Sequence, residues 1–176
     1  ENAKVIPGYT VVGDGQQSFT LDSLNKEITF YYTADAAQIT FATNGGSAVD
    51  DMEGVTGQEI TNRAMPTTAR TGYTFNGWYG SAELTGEPVG SLPEKYPAGT
   101  TTYYASWTVK TDVSYTVHYY LEDTTTSVAE DKVEQNKTFD AEYSENAKVI
   151  PGYTVVGDGQ QSFTLDSLDK EIIFYY

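Results

Sequence analysis

Residues 1–32 read ENAKVIPGYTVVGDGQQSFTLDSLNKEITFYY, and residues 145–176 read ENAKVIPGYTVVGDGQQSFTLDSLDKEIIFYY. Thirty of these 32 positions are identical at an offset of 144 residues. Chance does not produce such a match, so the chain is cut from a tandem array with a 144-residue period, and repeats decide a fold before any other signal. The two differences are informative. Asn25 becomes Asp169, a near-isosteric change that marks a wet position. Thr29 becomes Ile173. In Glu27–Tyr32 a period of two puts Ile28, Phe30 and Tyr32 on one face and Thr29 and Tyr31 on the other. A position that accepts Thr or Ile is half exposed, which makes the Ile28/Phe30 face the core face.

Outward from the repeat, the chain divides into three parts. Residues 113–176 form a complete unit, 38–109 a second unit, and 1–32 the C-terminal half of a unit of the first kind. The joints, Thr33–Ala37 and Lys110–Asp112, are short, so neighbouring units are expected to touch or hinge only slightly. All three parts are acidic. Within them the dominant period is two. Tyr115, Val117, Tyr119 and Leu121 alternate with Thr116, His118 and Tyr120, which reads as a strand. Tyr153–Val156, Ser162–Leu165 and Lys170–Tyr176 read as further strands, with Gly157-Asp158-Gly159 as a turn. In the middle unit, Gln38–Thr43 runs into the turn signal Asn44-Gly45-Gly46. Thr74–Tyr79 and Thr102–Trp107 are aromatic-rich strands. Thr138–Asn146 and Gly90–Tyr96 each admit one or two helical turns.

Composition removes several function classes. The chain has 176 residues, 10 Lys+Arg, 25 Asp+Glu, one His and no Cys, for a net charge of −15. Its aromatic fraction of 14% is too high for a disordered acidic tail, so it folds. Scattered cations under that net charge argue against nucleic acid and against an anionic membrane surface. No apolar run approaches a membrane span, and no signal peptide is evident. Without Cys there is no disulfide, thiolate catalysis or Cys-ligated metal. One His excludes multi-histidine metal sites and makes a Ser-His-Asp triad implausible. No catalytic residue, metal site or cofactor is therefore expected. Units this small usually need extra stabilisation, here packing between neighbours, a bound ion or a Lys–Asn/Asp amide cross-link. Lys4, Lys148 and Lys132 are the lysines for the last, read out by a loss of ammonia or water from the intact mass.

Two resemblances follow from separate motifs. Ile39–Trp107 contains ITFATNGGSAV, PTTARTGYTFNGWYGSAELTG and TTYYASW. It resembles the Listeria–Bacteroides repeat, the B-repeat type of internalin-like surface proteins. The core signature is Gly72-Tyr73-Thr74-Phe75-Asn76-Gly77-Trp78-Tyr79, closed by an aromatic-x-x-Trp strand. This copy has a longer segment between Ser81 and Thr101 and is more acidic than the family pattern. Residues 115–176, with YTVHYYLED, IPGYTVV and KEIIFYY, resemble a mucin-binding-protein (MucBP) repeat. The resemblance implies mostly β, tandem, small β-grasp-like modules (a minor α+β component) in an elongated array. It further implies cell-wall-attached surface proteins of Gram-positive bacteria, secreted and anchored through a region outside these residues. The echo between Arg70-Thr-Gly-Tyr-Thr-Phe75 and Ile150-Pro-Gly-Tyr-Thr-Val155 suggests one shared device. Gly supplies a turn conformation, and Tyr covers a sheet end.

Each candidate site has a plainer reading. His118 is a glycan contact, a pH-sensitive pair or simply a surface strand residue. The acidic groups Asp50-Asp51-Met52-Glu53, Glu122-Asp123 and Glu130-Asp131 offer hard oxygen ligands, yet none has EF-hand spacing, and solvated charge explains them. Trp78 and Trp107 belong to the structural motif and fill the core. Tyr31, Tyr120 and Tyr175, off the core face, are the better glycan-stacking residues. Leu92-Pro93-Glu94 only begins like a sortase motif, and Asn136-Lys137-Thr138 is a sequon without weight in a bacterial protein.

Two functions remain. One is a stalk that holds a distal adhesive domain away from the cell wall. The other is direct, weak binding of host mucin or other glycans, made useful by avidity. Residues 1–32 lack the strand that residues 115–121 give the second copy, which leaves an open sheet edge. They are expected to dock on 38–109 or to self-associate with a neighbouring molecule. Neighbouring repeats of the same chain are the remaining partners.

Overall fold

The computed structural model describes residues 1–176. The chain is all-β, with eleven strands, no helix and several small sheets arranged as tandem modules. The strands are β1 (Tyr9–Val11), β2 (Tyr32–Ala34), β3 (Ala36–Ala42), β4 (Met52–Val55), β5 (Tyr73–Tyr79), β6 (Gly99–Val109), β7 (Val113–Tyr120), β8 (Lys132–Lys137), β9 (Glu142–Asn146), β10 (Gln160–Thr164) and β11 (Lys170–Tyr175). They form a four-stranded sheet β4-β3-β6-β5, a three-stranded sheet β11-β7-β8 and the two pairs β1-β2 and β10-β9. Two compact units result. The first holds residues 1–68 and 76–106, the second 69–75 and 107–176.

Unit 1 is built around the parallel pair β3 and β6, with Ile39 facing Thr101 and Phe41 facing Tyr103. Period two in β3 buries Ala37, Ile39 and Phe41 together. Phe41 meets Trp78 edge to face at 5.1 Å and stacks on Tyr103 at 6.1 Å. Trp78 is fully buried, and its indole N–H donates to the Pro66 carbonyl at 2.7 Å. That bond satisfies the one polar atom a buried tryptophan brings. Thr40 and Thr102 share a hydroxyl hydrogen bond of 2.8 Å on the outer face.

Unit 2 is organised by β7, whose eight residues alternate strictly between buried and half-buried. Val113, Tyr115, Val117 and Tyr119 enter a core with Phe139, Leu165, Ile172, Phe174 and Tyr176. β7 runs parallel to β11, from Tyr115 opposite Lys170 to Tyr120 opposite Tyr175, and antiparallel to β8. The Ile172/Phe174 face is thus the core face, and Asn25 and Asp169 are both exposed. Trp107 stays half-buried, tilted against Phe75 at 5.1 Å.

Three local expectations are corrected. Thr138–Asn146 makes no helical turn. Asp140 takes a left-handed backbone (φ 58°), and Glu142–Asn146 becomes β9, paired with β10. Gly90–Tyr96 is also non-helical. Its Leu92 and Tyr96 amides bond outward to the carbonyls of Arg63 and Gln58, and Pro93 denies the helix a donor. Tyr153–Val156 is not a strand, and only Val156 bridges, to Tyr175. The same sequence in the first copy is β1 because Tyr32–Ala34 pairs with it.

Candidate functional site

Two features stand out, an aromatic face on unit 2 and a turn that occurs three times. The aromatic face is the side of sheet β11-β7-β8 away from the core. Period two brings Thr116, His118 and Tyr120 of β7 to it, and the parallel register sets Glu171, Ile173 and Tyr175 of β11 alongside. His118 stacks on Tyr120 with ring centroids 5.3 Å apart and planes 20° apart. Its Nδ1 lies 3.0 Å from the Asp131 carboxylate and its Nε2 3.6 Å from Glu171. The Nδ1 is enclosed and is not aligned for a hydrogen bond to Asp131. Burial, followed by Asp131, Glu171 and Tyr175, pushes the Tyr120 hydroxyl above its ordinary range, so it stays protonated as a donor.

The structure therefore brings together three of the four residues singled out in sequence, His118, Tyr120 and Tyr175. Tyr31, the counterpart of Tyr175, lies in unit 1 and is largely exposed. The His118 side chain is only 12% accessible, so it orients Tyr120 rather than offering a surface of its own. The carboxylates of Asp131 and Glu171 were not legible as its partners. One is in the loop before β8 and the other on β11, and only the sheet order joins them. A phenol face bordered by carboxylates has the chemistry to stack on the C–H face of a sugar and accept its hydroxyls.

Beneath this sheet lies an ionic cluster. Glu145 is buried and accepts from the Tyr115 hydroxyl at 2.7 Å and from Lys132 at 2.8 and 3.0 Å. Lys132 also meets Glu134 at 3.0 Å, and Lys137 meets Glu134 at 2.7 Å. The hydrogen bond that Lys132 donates to Glu145, then the one it donates to Glu134, raises its ammonium above the usual range. Lys137, then Lys132, holds Glu134 below the ordinary carboxylate range. The neighbours of the Lys132 ammonium are thus glutamates, and the Lys148 ammonium lies over the Tyr119 ring at 5.6 Å.

The recurring turn is Ile6-Pro-Gly-Tyr9, Arg70-Thr-Gly-Tyr73 and Ile150-Pro-Gly-Tyr153. In each, the Tyr amide donates to the carbonyl three residues back at 3.1 Å, and the Gly has φ of 78°, 76° and 86° respectively. Glycine at the third position is what a type II turn requires. In unit 1 the Tyr9 hydroxyl donates to the Thr56 carbonyl at 3.3 Å, and Gly8 is closed in by Thr56 and Ala98. In unit 2 Tyr73 meets Phe139 edge to face at 6.0 Å, donates to Asp140 at 2.7 Å and carries the Arg70 guanidinium over its ring at 3.7 Å. Tyr153 is exposed, and nothing lies close to Gly152.

Residues 38–106 match the Listeria-Bacteroides repeat domain. Across 178 aligned residues, 99% of this chain, the sequence is 27% identical to Internalin I of Listeria monocytogenes serovar 1/2a (strain ATCC BAA-679 / EGD-e). The chain spans only 9% of that relative's length. Two solved structures, Mub-RV and the type 2 repeat of the mucus binding protein MUB from Lactobacillus reuteri, align with 80% of this chain and 97% of their own. Their identities are 17% and 15%, each with a TM-score of 0.27.

Proposed function

We propose that this chain, which carries a Listeria-Bacteroides repeat domain at residues 38–106, is a repeat segment of a bacterial cell-surface adhesin and acts mainly as a stalk. The reading takes three modules, 1–32, 38–109 and 113–176, displayed outside the cell and held to its wall. It is a non-catalytic role. The observation that carries it is the Gly-Tyr turn. Three copies share one geometry, and two are seated on the stretch that follows them, Tyr9 on Thr56 and Tyr73 on Phe139 and Asp140. A glycine-backed aromatic plug inside each unit braces that unit, and repeated units lengthen a spacer without each needing a ligand site.

A second reading rests on the Tyr120/Tyr175 face, at which MucBP-like modules would bind mucin or other glycans weakly and gain by avidity. One experiment separates the two. The chain is displayed in multiple copies against mucin and a glycan panel, and its solution scattering is compared with that of Tyr73→Ala. The stalk reading expects no saturable binding and a broader distribution of dimensions in the variant. Saturable binding lost in Tyr120→Ala or Tyr175→Ala would transfer the function to the aromatic face.

A further inference from the structure

We propose that unit 1 carries a receptor for an extended basic peptide segment, whose main chain adds to the open edge of β4 while an apolar side chain enters the cavity at the start of that strand. The cavity has a volume of about 520 Å³. Its lining runs from Phe41 and Leu92, both buried, to Met52 and Met65, both half-buried. These are the two methionines of the chain, and both line this one cavity. Methionine is unbranched and polarisable, so it moulds to apolar groups of differing shape. Asp50 and Asn62 stand at the exposed margin. A concave apolar lining with a few polar groups at its mouth is suited to holding a ligand. All of these residues belong to unit 1, so the site is independent of the aromatic face of unit 2.

The strand edge is a separate feature. β4 is the outer strand of sheet β4-β3-β6-β5 and pairs with β3 alone. At its far end the Val55 amide donates away from β3, to the Gln58 side-chain oxygen at 3.1 Å, and the Val55 carbonyl accepts from the Gln58 amide at 3.0 Å. Main-chain groups alternate in direction along an antiparallel pair, so those of Glu53 point to the same open side. No strand or turn takes them up. A peptide added at such an edge gains affinity from main-chain hydrogen bonds, and pockets for its alternate side chains set the choice.

Charge selects the occupant. Residues 44–62 hold four carboxylates, Asp50, Asp51, Glu53 and Glu59, and no Lys or Arg. Asp50 and Glu53 are exposed with no cation beside them, and Asp51 receives only a 3.5 Å bond from Gln38. Arg63, the next cation along the chain, is engaged with the Leu92 carbonyl at 2.9 Å and with Glu94 at 3.6 Å. Acidic side chains on an edge keep two such edges from pairing, which removes a second copy of this chain as the occupant. A strand with Lys or Arg between apolar residues meets the edge, the cavity and the charge together. Complementarity of this kind speeds encounter and rejects wrong partners.

The test titrates acetyl-Lys-Leu-Lys-Phe-Lys-Leu-Lys-amide into the full chain at low salt, with methionine methyl and backbone amide signals followed by NMR. One control peptide has Glu in place of every Lys, and another has Ser in place of Leu and Phe. The expected result is saturable binding that shifts the Met52 and Met65 methyl groups, slows exchange of the Glu53 amide and is at least about tenfold weaker for both controls. Asp50→Asn combined with Glu53→Gln changes two exposed side chains and should weaken binding by about tenfold with the rest of the spectrum in place. Absence of saturable binding overturns the inference. So does equal binding by the serine peptide, which is attraction by charge alone. Binding untouched by the two substitutions, or shifts confined to acidic residues elsewhere such as Asp131 and Glu171, overturns it as well.

Discussion

Leu21 and Leu165 stand in the same sentence of sequence, yet Leu21 is open to water and Leu165 is sealed. The difference separates what 32 residues determine locally from what they need from elsewhere. The Pro-Gly-Tyr turn, the tyrosine hydroxyl bonds to Lys4 and Lys148 and the glutamine bonds to Thr29 and Ile173 recur in both copies, so they are local properties. Strand character does not recur. Residues 160–164 and 170–175 are strands, whereas 16–20 and 26–31 are not. A strand needs a ladder partner, and β9 and β7 supply it only to the second copy.

The largest expected effect tests that separation directly. Leu165→Ala removes a fully enclosed side chain and should destabilise unit 2 by about 2–5 kcal/mol. Leu21→Ala removes the same atoms from water and should stay within about 0.5 kcal/mol. Denaturant titration read by amide signals of each unit gives both values, since one whole-chain transition cannot be assumed. Equal losses would mean that Leu21 is covered in solution.

The Gly-Tyr turn reverses the sign of the comparison, because here the first copy is the more enclosed. Gly8→Ala and Gly152→Ala both place a side chain in the left-handed region (φ 78° and 86°), at about 1–2 kcal/mol each. At Gly8 the new Cβ also meets Thr56 at 2.5 Å and Ala98 at 2.7 Å, whereas at Gly152 it meets nothing within 4 Å. An overpacking cost of about 1–3 kcal/mol should therefore appear only in Gly8→Ala. Thermal melts of the two variants, followed by unit, measure the difference. A matching loss at Gly152 would show that its turn is also seated.

Much of this was legible from local pattern. Period two in Val113–Tyr120 foretold its buried face, and the Thr29/Ile173 exchange picked out which side of the terminal strand is wet. Both are signals carried by adjacent residues. Glu142–Asn146 was not legible, because EYSEN is polar and becomes a strand only by pairing with Gln160–Thr164. Tyr153–Val156 erred in the opposite direction: it has the residues of a strand, yet only Val156 makes a bridge, to Tyr175. At the aromatic face, His118, Tyr120 and Tyr175 were visible as off-core residues. The carboxylates that edge them come from a loop and a parallel strand, and parallel pairing across some fifty residues leaves no short-range trace.

A smaller effect concerns acid. Glu134 has its carboxyl held low by Lys137 and then Lys132. A group depressed on folding adds stability above its unfolded value, about 4.3 for glutamate, and loses it as pH falls through the lower folded value. Unit 2 should thus lose stability below about pH 4.3 in a step that Glu134→Gln removes, whereas the raised Lys132 adds stability that is lost only as pH climbs above the ordinary lysine value of about 10.4. Residues 1–32 contain no counterpart of β8, so exchange of their amides should not follow this step. The measurement is unit-resolved unfolding against pH, in the wild type and in Glu134→Gln.

The smallest effect is the most pointed. Ile173→Thr and Thr29→Ile exchange the two residues that distinguish the copies. Ile173 lies opposite His118 on the outer face of β11, half-buried, and Thr29 is exposed. An outward residue on a half-covered sheet contributes through its neighbours, so Ile173→Thr should cost less than about 1 kcal/mol and Thr29→Ile should be close to neutral. Denaturant titration followed in each unit gives both values. A loss in Ile173→Thr well beyond that size would show that Ile173 packs on His118 across the parallel pair, so that the outer face of the sheet is held as firmly as the inner one.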